Sequence, residues 1–211
     1  MDIKYLRVGQ IGTNCYIVCD KAGGKCAVID PGADAQRIIA AVEENGCVPQ
    51  MILLTHGHYD HIGAVHELLA HFHCKLAVPK MELDFLNNPH RNLQSSVGGG
   101  NFEPFRPDIL FEDGDTVEVA GLKFHVLHTP GHTPGSCCLL CEDVMFSGDT
   151  LFAGSAGRTD FPGGDPAAMR ASMKKLAALS GNFQVLPGHG GFSTLDEERA
   201  NNPFLAGAAD A

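Results

Sequence analysis

The segment from Thr55 to His61 carries side chains that can bind metal ions. It reads Thr-His-Gly-His-Tyr-Asp-His, so three imidazoles and one carboxylate fall within six positions. Neutral imidazole and carboxylate groups are ligands that suit zinc and also accept iron or manganese. A histidine-rich surface turn is the alternative interpretation, but four ligand-type residues at this spacing favour a metal site.

The metal-binding segment follows an apolar run, Met51-Ile52-Leu53-Leu54. This run has the length and composition of a strand that is buried on both faces. If the backbone stays extended beyond it, the alternation of side chains places His56, His58 and Asp60 on one side. His61 then points elsewhere, so the spacing predicts two neighbouring half-sites rather than one cage.

A second pattern recurs further along the chain: an apolar strand, then a glycine, then one residue of a metal-ligand type. The glycine allows the backbone to turn sharply where the strand ends. The residues that follow Gly131, Gly148 and Gly188 are His132, Asp149 and His189. With the first segment, four strands are predicted to bring seven candidate ligands to one edge of a sandwich. These candidates are His56, His58, Asp60, His61, His132, Asp149 and His189.

Composition favours a globular protein over several other classes. Of 211 residues, 44% are hydrophobic and 19% are charged, which argues against disorder. No apolar run approaches the ~20 residues of a membrane-spanning helix, and the first residues are too charged for a secretory signal. We therefore expect a cytoplasmic protein without a membrane partner. The formal net charge of −10 and the lack of basic runs argue against a nucleic-acid partner.

The N-terminal half is predicted to alternate strands with helices. Two strands, 13–19 and 26–29, are joined by a glycine-containing hairpin turn. Apolar positions at helical spacing predict helices over 33–45 and 64–73, followed by a strand at 75–78 and a short helix after Pro79. The irregular stretch 87–107 is predicted to be a long connection, which either shapes a substrate pocket or is a surface loop.

The C-terminal half is predicted to be mostly strands. They are expected at 116–119, 122–128, 136–141, 144–146 and 183–186. Asp165-Pro166 predicts a helix start, and Thr194 with Glu197 fits a capping box for a last helix. This order favours two sheets packed face to face with helices outside them. A single domain is expected over residues 1–205, with 206–211 a disordered tail.

The ligand pattern resembles that of the metallo-β-lactamase superfamily, in which a His-x-His-x-Asp-His segment precedes a His, an Asp and a His. The resemblance covers most of the chain in motif order and implies an α/β (α+β) fold, the αββα four-layer sandwich. Within the superfamily the chain is most similar to glyoxalase II (hydroxyacylglutathione hydrolase) and its single-domain relatives. Three segments carry this closer similarity: Thr13-Asn14-Cys15-Tyr16, residues 129–136 and residues 157–161.

The resemblance implies two metal sites that share Asp149. One divalent ion is held by His56, His58 and His132, and the other by Asp60, His61 and His189. Zinc is the implied metal, although iron and manganese accept the same ligands. The implied reaction is hydrolysis of a small acyl or thioester substrate by a hydroxide that bridges the metals, with Asp60 and Asp149 as the catalytic carboxylates. A thioester suits this site because a thiolate leaves without a dedicated general acid.

Two other functions are considered. Persulfide dioxygenases are similar in fold and in the Gly157–Phe161 segment, which implies a mononuclear iron held by His56, His132 and Asp149. The presence of all seven candidate ligands favours the hydrolase over this sulfur oxygenase. A non-catalytic metal-binding module ranks last, because closed structural sites use four ligands that are often thiolates.

Arg158 and Asp160 are the candidate substrate-binding residues, because they follow a glycine-rich loop beside Asp149. The planar guanidinium of Arg158 suits a substrate carboxylate. The competing interpretation is an Arg158–Asp160 pair that only braces the loop. Glyoxalase II proteins also carry a C-terminal helical domain that helps to hold glutathione, and this sequence ends soon after His189.

Overall fold

The computed structural model describes residues 1–20, 24–98 and 102–205, which contain two six-stranded sheets. The strands of the first sheet lie side by side in chain order. They are β1 (Asp2–Val8), β2 (Thr13–Cys19), β3 (Lys25–Ile29), β4 (Val48–Leu53), β5 (Lys75–Pro79) and β6 (Ile109–Phe111). The pairs β1–β2 and β2–β3 are antiparallel, whereas β3 to β6 are parallel.

The second sheet is formed by the later strands in the order β14-β13-β10-β9-β8-β7. Its strands and the separate two-stranded hairpin of β11 and β12 are β7 (Thr116–Val119), β8 (Leu122–His128), β9 (Cys137–Cys141), β10 (Val144–Gly148), β11 (Leu151–Phe152), β12 (Ser155–Ala156), β13 (Gln184–Pro187) and β14 (Ser193–Thr194). All neighbouring pairs are antiparallel except β10 and β13, which are parallel.

Most of the helices in the described part of the chain lie between strands. The α-helices are α1 (Ala35–Glu44), α2 (Tyr59–Ile62), α3 (Val65–Phe72), α4 (Leu83–Leu86), α5 (Pro166–Ala177) and α6 (Leu195–Asn201). A 3₁₀ turn at Lys80–Glu82 precedes α4, and a π-helical turn spans Gln94–Gly98. None of the helices in the described part of the chain has the length and hydrophobicity needed to cross a bilayer.

The alternation of side chains along the strands explains the layers. In β2, Tyr16 and Val18 point into a core between the two sheets, whereas Cys15 and Ile17 point to the outer face. The inner core receives Phe124 from the second sheet, among other residues. The outer face of the first sheet is covered by α1 and α3, and that of the second by α5 and α6. The result is a helix–sheet–sheet–helix sandwich, so the predicted fold is confirmed.

Most predicted elements are present, with helix ends shifted by one or two residues. The strands that were not predicted are β1, β6, β11, β12 and β14. Four of these have two or three residues, which is too short for a periodic signal. The longer one, β1, is an edge strand whose residues are mostly exposed, so it lacks the apolar alternation of a buried strand. Residues 99–101 of the predicted long connection, and the predicted tail 206–211, lie outside the described residues.

Both predicted helix starts are confirmed by hydrogen bonds. Asp165 accepts from the backbone N–H groups of Ala167 and Ala168 at the start of α5. Thr194 and Glu197 form the reciprocal capping box of α6. These caps fix the helices that cover the second sheet.

Candidate metal centre

All candidate ligands lie at one edge of the sandwich because of strand direction. Strands β8 and β10 are both antiparallel to β9, and β13 is parallel to β10, so these three strands end at the same edge. His132, Asp149 and His189 follow those ends. The first segment follows β4, and Thr55 O accepts a hydrogen bond from the Cys137 N–H across the sheets. The structure therefore brings all seven candidates together.

The local conformation of the first segment differs from the predicted one. His56 and His58 leave β4 in an irregular backbone, but Asp60 and His61 lie on α2. The prediction that alternation continues to Asp60 is therefore wrong. Asp60 and His61 lie on a helical turn, in which successive side chains diverge around the axis. Their side chains therefore do not continue the alternation of the two preceding imidazoles. Asp60 is therefore grouped with His61 and His189 rather than with His56 and His58, which is the grouping that the resemblance implies.

The first trio consists of His56, His58 and His132, all buried, whose ligand atoms lie within 4.8 Å of one another. His58 Nδ1 and His132 Nε2 are 2.8 Å apart. His132 Nδ1 lies 2.8 Å from the Arg158 carbonyl, so this nitrogen donates to the backbone and Nε2 faces the trio. His56 Nδ1 lies 3.1 Å from Thr55 Oγ1.

The second trio consists of Asp60, His61 and His189, with the same clustering of ligand atoms. His61 Nε2 and His189 Nε2 are 3.3 Å apart, and His189 Nε2 lies 3.1 Å from Asp60 Oδ2. Two ligand atoms on one tetrahedral zinc ion, with bonds of ~2.0–2.1 Å, are separated by about 3.3 Å. This trio therefore has the spacing of a coordination sphere.

Asp149 lies between the two trios. Its Oδ2 is 3.4 Å from His132 Nε2 of the first trio and 3.6 Å from His189 Nε2 of the second. Its Oδ1 is 3.4 Å from His61 Nε2. One carboxylate thus contacts imidazoles of both half-sites, which is the position required of a bridging ligand.

Asp30 is a residue of this centre that the sequence analysis missed. It is buried, and its carboxylate lies 3.0 Å from His61 Nδ1 and accepts hydrogen bonds from Thr55 N–H and Oγ1–H. A carboxylate on the far nitrogen fixes the orientation of a ligating histidine. The sequence signal was available, because Asp30 directly follows the apolar strand β3, as Asp149 follows β10.

The pKa shifts of His58 and Asp149 favour the neutral imidazole and the carboxylate that bind cations, whereas the shift of His61 favours a proton that a bound cation would have to displace. Burial lowers the pKa of His58 to about 3, and the nearby His132 adds to this shift. Burial alone would raise the pKa of Asp149, but the adjacent His61 and other imidazoles hold it at about 2. Burial also opposes a proton on His61, yet three surrounding carboxylates, led by Asp149, raise its pKa well above its usual value. Negative charge therefore surrounds His61.

The residues fit a pair of divalent cations. His56 Nε2 is fully buried and has no hydrogen-bond partner among the described residues. An unpaired buried polar atom is costly, and a cation would satisfy it. The donor set is nitrogen and oxygen, which suits zinc, iron and manganese. His56 would belong to the first ion, and Asp149 would touch both.

Hydrogen bonds from the first sheet hold the loop that carries His189. Asn14 donates from its backbone N–H to Gly188 O at 2.7 Å and from Nδ2 to Pro187 O at 3.0 Å. Tyr16 O–H also donates to Pro187 O, at 2.5 Å. Residues of β2 thus position a ligand of the opposite sheet, which gives a physical role to the Thr13–Tyr16 segment.

The glycines beside the ligands have two different roles. Gly148 has φ +48° and Gly131 has φ +139°, so both support the predicted sharp turn. Gly188 has no positive φ, but a Cβ there would collide with Asp149 Oδ1 and would lie 2.6 Å from His61 Cε1. Space, not backbone conformation, therefore requires glycine at this position.

Glu82 links the loops of the first trio. This carboxylate is 1% exposed and accepts hydrogen bonds from Gly57 N–H at 2.8 Å and from Gly135 N–H at 2.7 Å. Burial raises its pKa, although these hydrogen bonds oppose the shift. Gly57 lies between His56 and His58, and Gly135 follows His132 in the same loop. One side chain therefore fixes the distance between two ligand-bearing loops.

Arg158 and Asp160 form the pair that was considered as the alternative to substrate binding. The guanidinium donates from Nε and from an Nη to the two carboxylate oxygens, both at 2.6 Å. It also lies 3.9 Å from the centre of the Phe161 ring. Both side chains are exposed beside the centre. Their predicted role in binding substrate stays a prediction.

A cavity of about 460 Å³ opens onto the centre. Its floor includes His58, Asp60, His132, Asp149 and His189. Its walls are largely apolar and are formed by Ile11, Leu93, Val97, Phe152 and Phe161. A small molecule can therefore reach both half-sites.

The chain belongs to the metallo-β-lactamase superfamily, as the fold and the ligand pattern imply. A profile described as "Metallo-beta-lactamase superfamily" matches residues 8–189. The two trios, together with a di-iron structure of a similar protein, support a centre for two metal ions. The membership and the cluster together identify a metallo-hydrolase type of site.

Three similar proteins extend this result. Hydroxyacylglutathione hydrolase GloC of Haemophilus influenzae is 36% identical over 209 residues, which cover 97% of this chain and 98% of the relative. The crystal structure of BLEG-1 B3 metallo-beta-lactamase is 36% identical with a TM-score of 0.90, over 97% and 99% of the two chains. TTHA1623 in a di-iron-bound form is 36% identical with a TM-score of 0.85, over 96% and 100%.

Proposed function

We propose that this protein is a dinuclear metal-dependent hydrolase that cleaves small thioesters in the cytoplasm. The observation that carries the proposal is Asp149, whose two oxygens contact imidazoles of both trios at the floor of an open cavity. Zinc is the proposed metal, because imidazole and carboxylate ligands suit it. The name of the GloC relative supports an acylated thiol as substrate.

Two bound divalent cations would supply an activated water and positive charge for the oxyanion that develops on the acyl group. The side chains of the protein orient the two carboxylates, Asp60 and Asp149. Asp60 accepts a hydrogen bond from Thr13 Oγ1–H at 3.1 Å, which restricts its carboxylate. Asp149 is buried and ionised, and its oxygens lie 3.4–3.6 Å from the imidazoles of His61, His132 and His189. Both carboxylates are thus fixed before substrate arrives.

A thioester fits these residues better than an unactivated amide. A thiol has a pKa near 8.5, so a thiolate departs from the acyl carbon without receiving a proton first. An amine must be protonated to leave, which would require an acid placed on the leaving-group side. The apolar walls, which include Ile11 and Val97, would contact the acyl group or the carbon chain of the thiol.

Turnover of S-lactoylglutathione and of simple acyl thioesters by protein loaded with two zinc ions tests the proposal. We expect hydrolysis that is lost in Asp149→Asn and retained in His90→Ala, which changes an exposed histidine outside the centre. Nitrocefin belongs in the same panel, because BLEG-1 is described as a metallo-beta-lactamase. Full metal occupancy without turnover of any thioester would reject the thioesterase assignment.

A sulfur oxygenase is the second candidate. The di-iron form of TTHA1623 indicates that a similar protein holds iron. The earlier hypothesis assigns one iron to His56, His132 and Asp149, and His132 Nε2 does lie 3.4 Å from Asp149 Oδ2. Oxygen consumption by the iron-loaded protein with glutathione persulfide separates the two functions, because hydrolysis consumes none.

A further inference from the structure

Three buried cysteines meet at the edge of the first sheet that is opposite to the metal centre. Cys19 ends β2, Cys26 lies directly across from it on β3, and Cys47 immediately precedes β4. Because β3 and β4 are parallel, both begin at this edge and end at the edge where Asp30 and Thr55 lie. With a rise of about 3.3 Å per residue, Cys26 is about 13 Å from Asp30 along β3.

The three sulfur atoms are close enough to share one ion. They lie within 4.8 Å of one another. Three thiolates in a plane around a cation, with metal–sulfur bonds of about 2.3 Å, are separated by about 4.0 Å. Small side-chain rotations therefore bring them to coordination distance, and no movement of the strands is needed.

We propose that Cys19, Cys26 and Cys47 form a thiolate site for a soft cation of the Cu(I) class, separate from the histidine–aspartate centre. Thiolate ligands select soft cations such as Cu(I), whereas the imidazole and carboxylate groups of the other centre suit harder divalent ions. Three sulfur ligands without a fourth match the low coordination number that Cu(I) accepts.

The surroundings of the cluster are consistent with a site that an ion can reach. Cys19 and Cys47 are each 6% exposed, so the cluster lies just below the surface. Asn45 Nδ2 lies 3.6 Å from Cys19 Sγ and donates to it, which would stabilise a thiolate. Burial raises the pKa of Cys19 to about 11 and also raises that of Cys26. The thiols of Cys19 and Cys26 are therefore protonated at neutral pH, and binding of an ion to them must release protons.

A competition titration tests this site in the full-length protein. The histidine–aspartate centre is first loaded with zinc, and Cu(I) is then added under reducing, anaerobic conditions against bicinchoninate. We expect one Cu(I) per chain, an ultraviolet thiolate-to-copper charge-transfer band, and release of protons. Imidazole and carboxylate ligands do not produce that band, so the readout is specific to the cysteines.

Variants separate the proposed site from simple core packing. Cys19→Ala and Cys47→Ala should each weaken Cu(I) binding by more than about 100-fold, since loss of a group that only orients a ligand already costs 10–100-fold. Cys74→Ala is the matched control, because Cys74 is also a free cysteine but lies outside the cluster. Retained zinc loading of each variant shows that it is folded. Equal Cu(I) affinity of Cys47→Ala and Cys74→Ala, or no charge-transfer band in the wild type, would overturn the proposal.

Discussion

At the scale of single residues, the orientation of the His132 and His61 imidazoles depends on neighbours that are not themselves candidate ligands. The Arg158 carbonyl contacts His132 Nδ1, and the Asp30 carboxylate contacts His61 Nδ1. In each ring the other nitrogen is thereby directed into the centre. The orientation of these two imidazoles consequently depends on residues that lie outside the pattern of candidate ligands.

Asp30 provides a direct test of this dependence. In Asp30→Asn the amide cannot supply the negative charge beside His61 Nδ1, so we expect the affinity for the second metal to fall by about 10–100-fold. The affinity for the first metal should change less, because Asp30 acts on its ligand His56 through Thr55 Oγ1 rather than through a direct hydrogen bond. Calorimetric titration with zinc measures both sites, and Asp115→Asn, a change at an exposed carboxylate outside the centre, is the control. Equal loss at both sites would contradict a specific role at His61.

Gly188 tests the requirement for space beside Asp149. In Gly188→Ala the added methyl group would overlap Asp149 Oδ1 and crowd His61. We expect loss of most metal binding and activity, with destabilisation of about 1–3 kcal/mol from overpacking. Gly191→Ala is the matched control, since a Cβ there meets nothing within 4 Å. Metal content and thermal unfolding of the two variants give the comparison, and equal metal content would refute the steric argument.

At the scale of elements, the 3₁₀ turn that ends in Glu82 connects the loop after β4 to the loop after β8. In Glu82→Gln only one oxygen remains, so either Gly57 N–H or Gly135 N–H loses its acceptor and faces an NH₂ group. We expect a loss of about 1–3 kcal/mol in the free energy of unfolding. Metal affinity should fall with it, because the loops carry His56, His58 and His132. Denaturant unfolding of metal-free protein measures the first effect, with exposed Asp84→Asn as control.

The same residue predicts a pH dependence. Burial raises the pKa of Glu82 in the folded state, so between the unfolded and folded pKa values the folded protein binds more protons than the unfolded one. The free energy of unfolding contributed by Glu82 therefore falls as pH rises through that window. The stability advantage of the wild type over Glu82→Gln should shrink from acid toward neutral pH. A constant difference across that range would show that Glu82 titrates as it does in the unfolded chain.

The sequence was sufficient for the elements with strong periodicity and for the ligands that follow them. Apolar runs located β2, β4 and β10, and helix caps located α5 and α6. It was not sufficient for α2, because the turn that places Asp60 and His61 depends on tertiary packing: Gly32, for example, lies so close to Asp60 O that only a glycine fits. It also missed Asp30, whose role depends on His61 lying beside it in space, 31 residues away in the chain.

At the scale of the whole molecule, the metal centre joins two sheets. The first half of the chain contributes His56, His58, Asp60 and His61, and the second half contributes His132, Asp149 and His189. Bound metal should therefore stabilise the folded protein, by about 2.7 kcal/mol at a free metal concentration 100 times the dissociation constant. Calorimetric melting with and without a chelator measures this shift. The chelator should affect His56→Ala much less than wild type, and an equal effect on both would contradict the assignment.

The order of the chain adds a consequence for folding. Strands β1 to β6 come from residues 2–111, and the strands of the second sheet come from residues 116–194, so each sheet is one continuous piece of sequence. Neither piece contains the complete set of candidate ligands. The full set of candidate ligands therefore forms only after the two halves have docked, which makes metal uptake by that set a late event and a reporter of successful assembly.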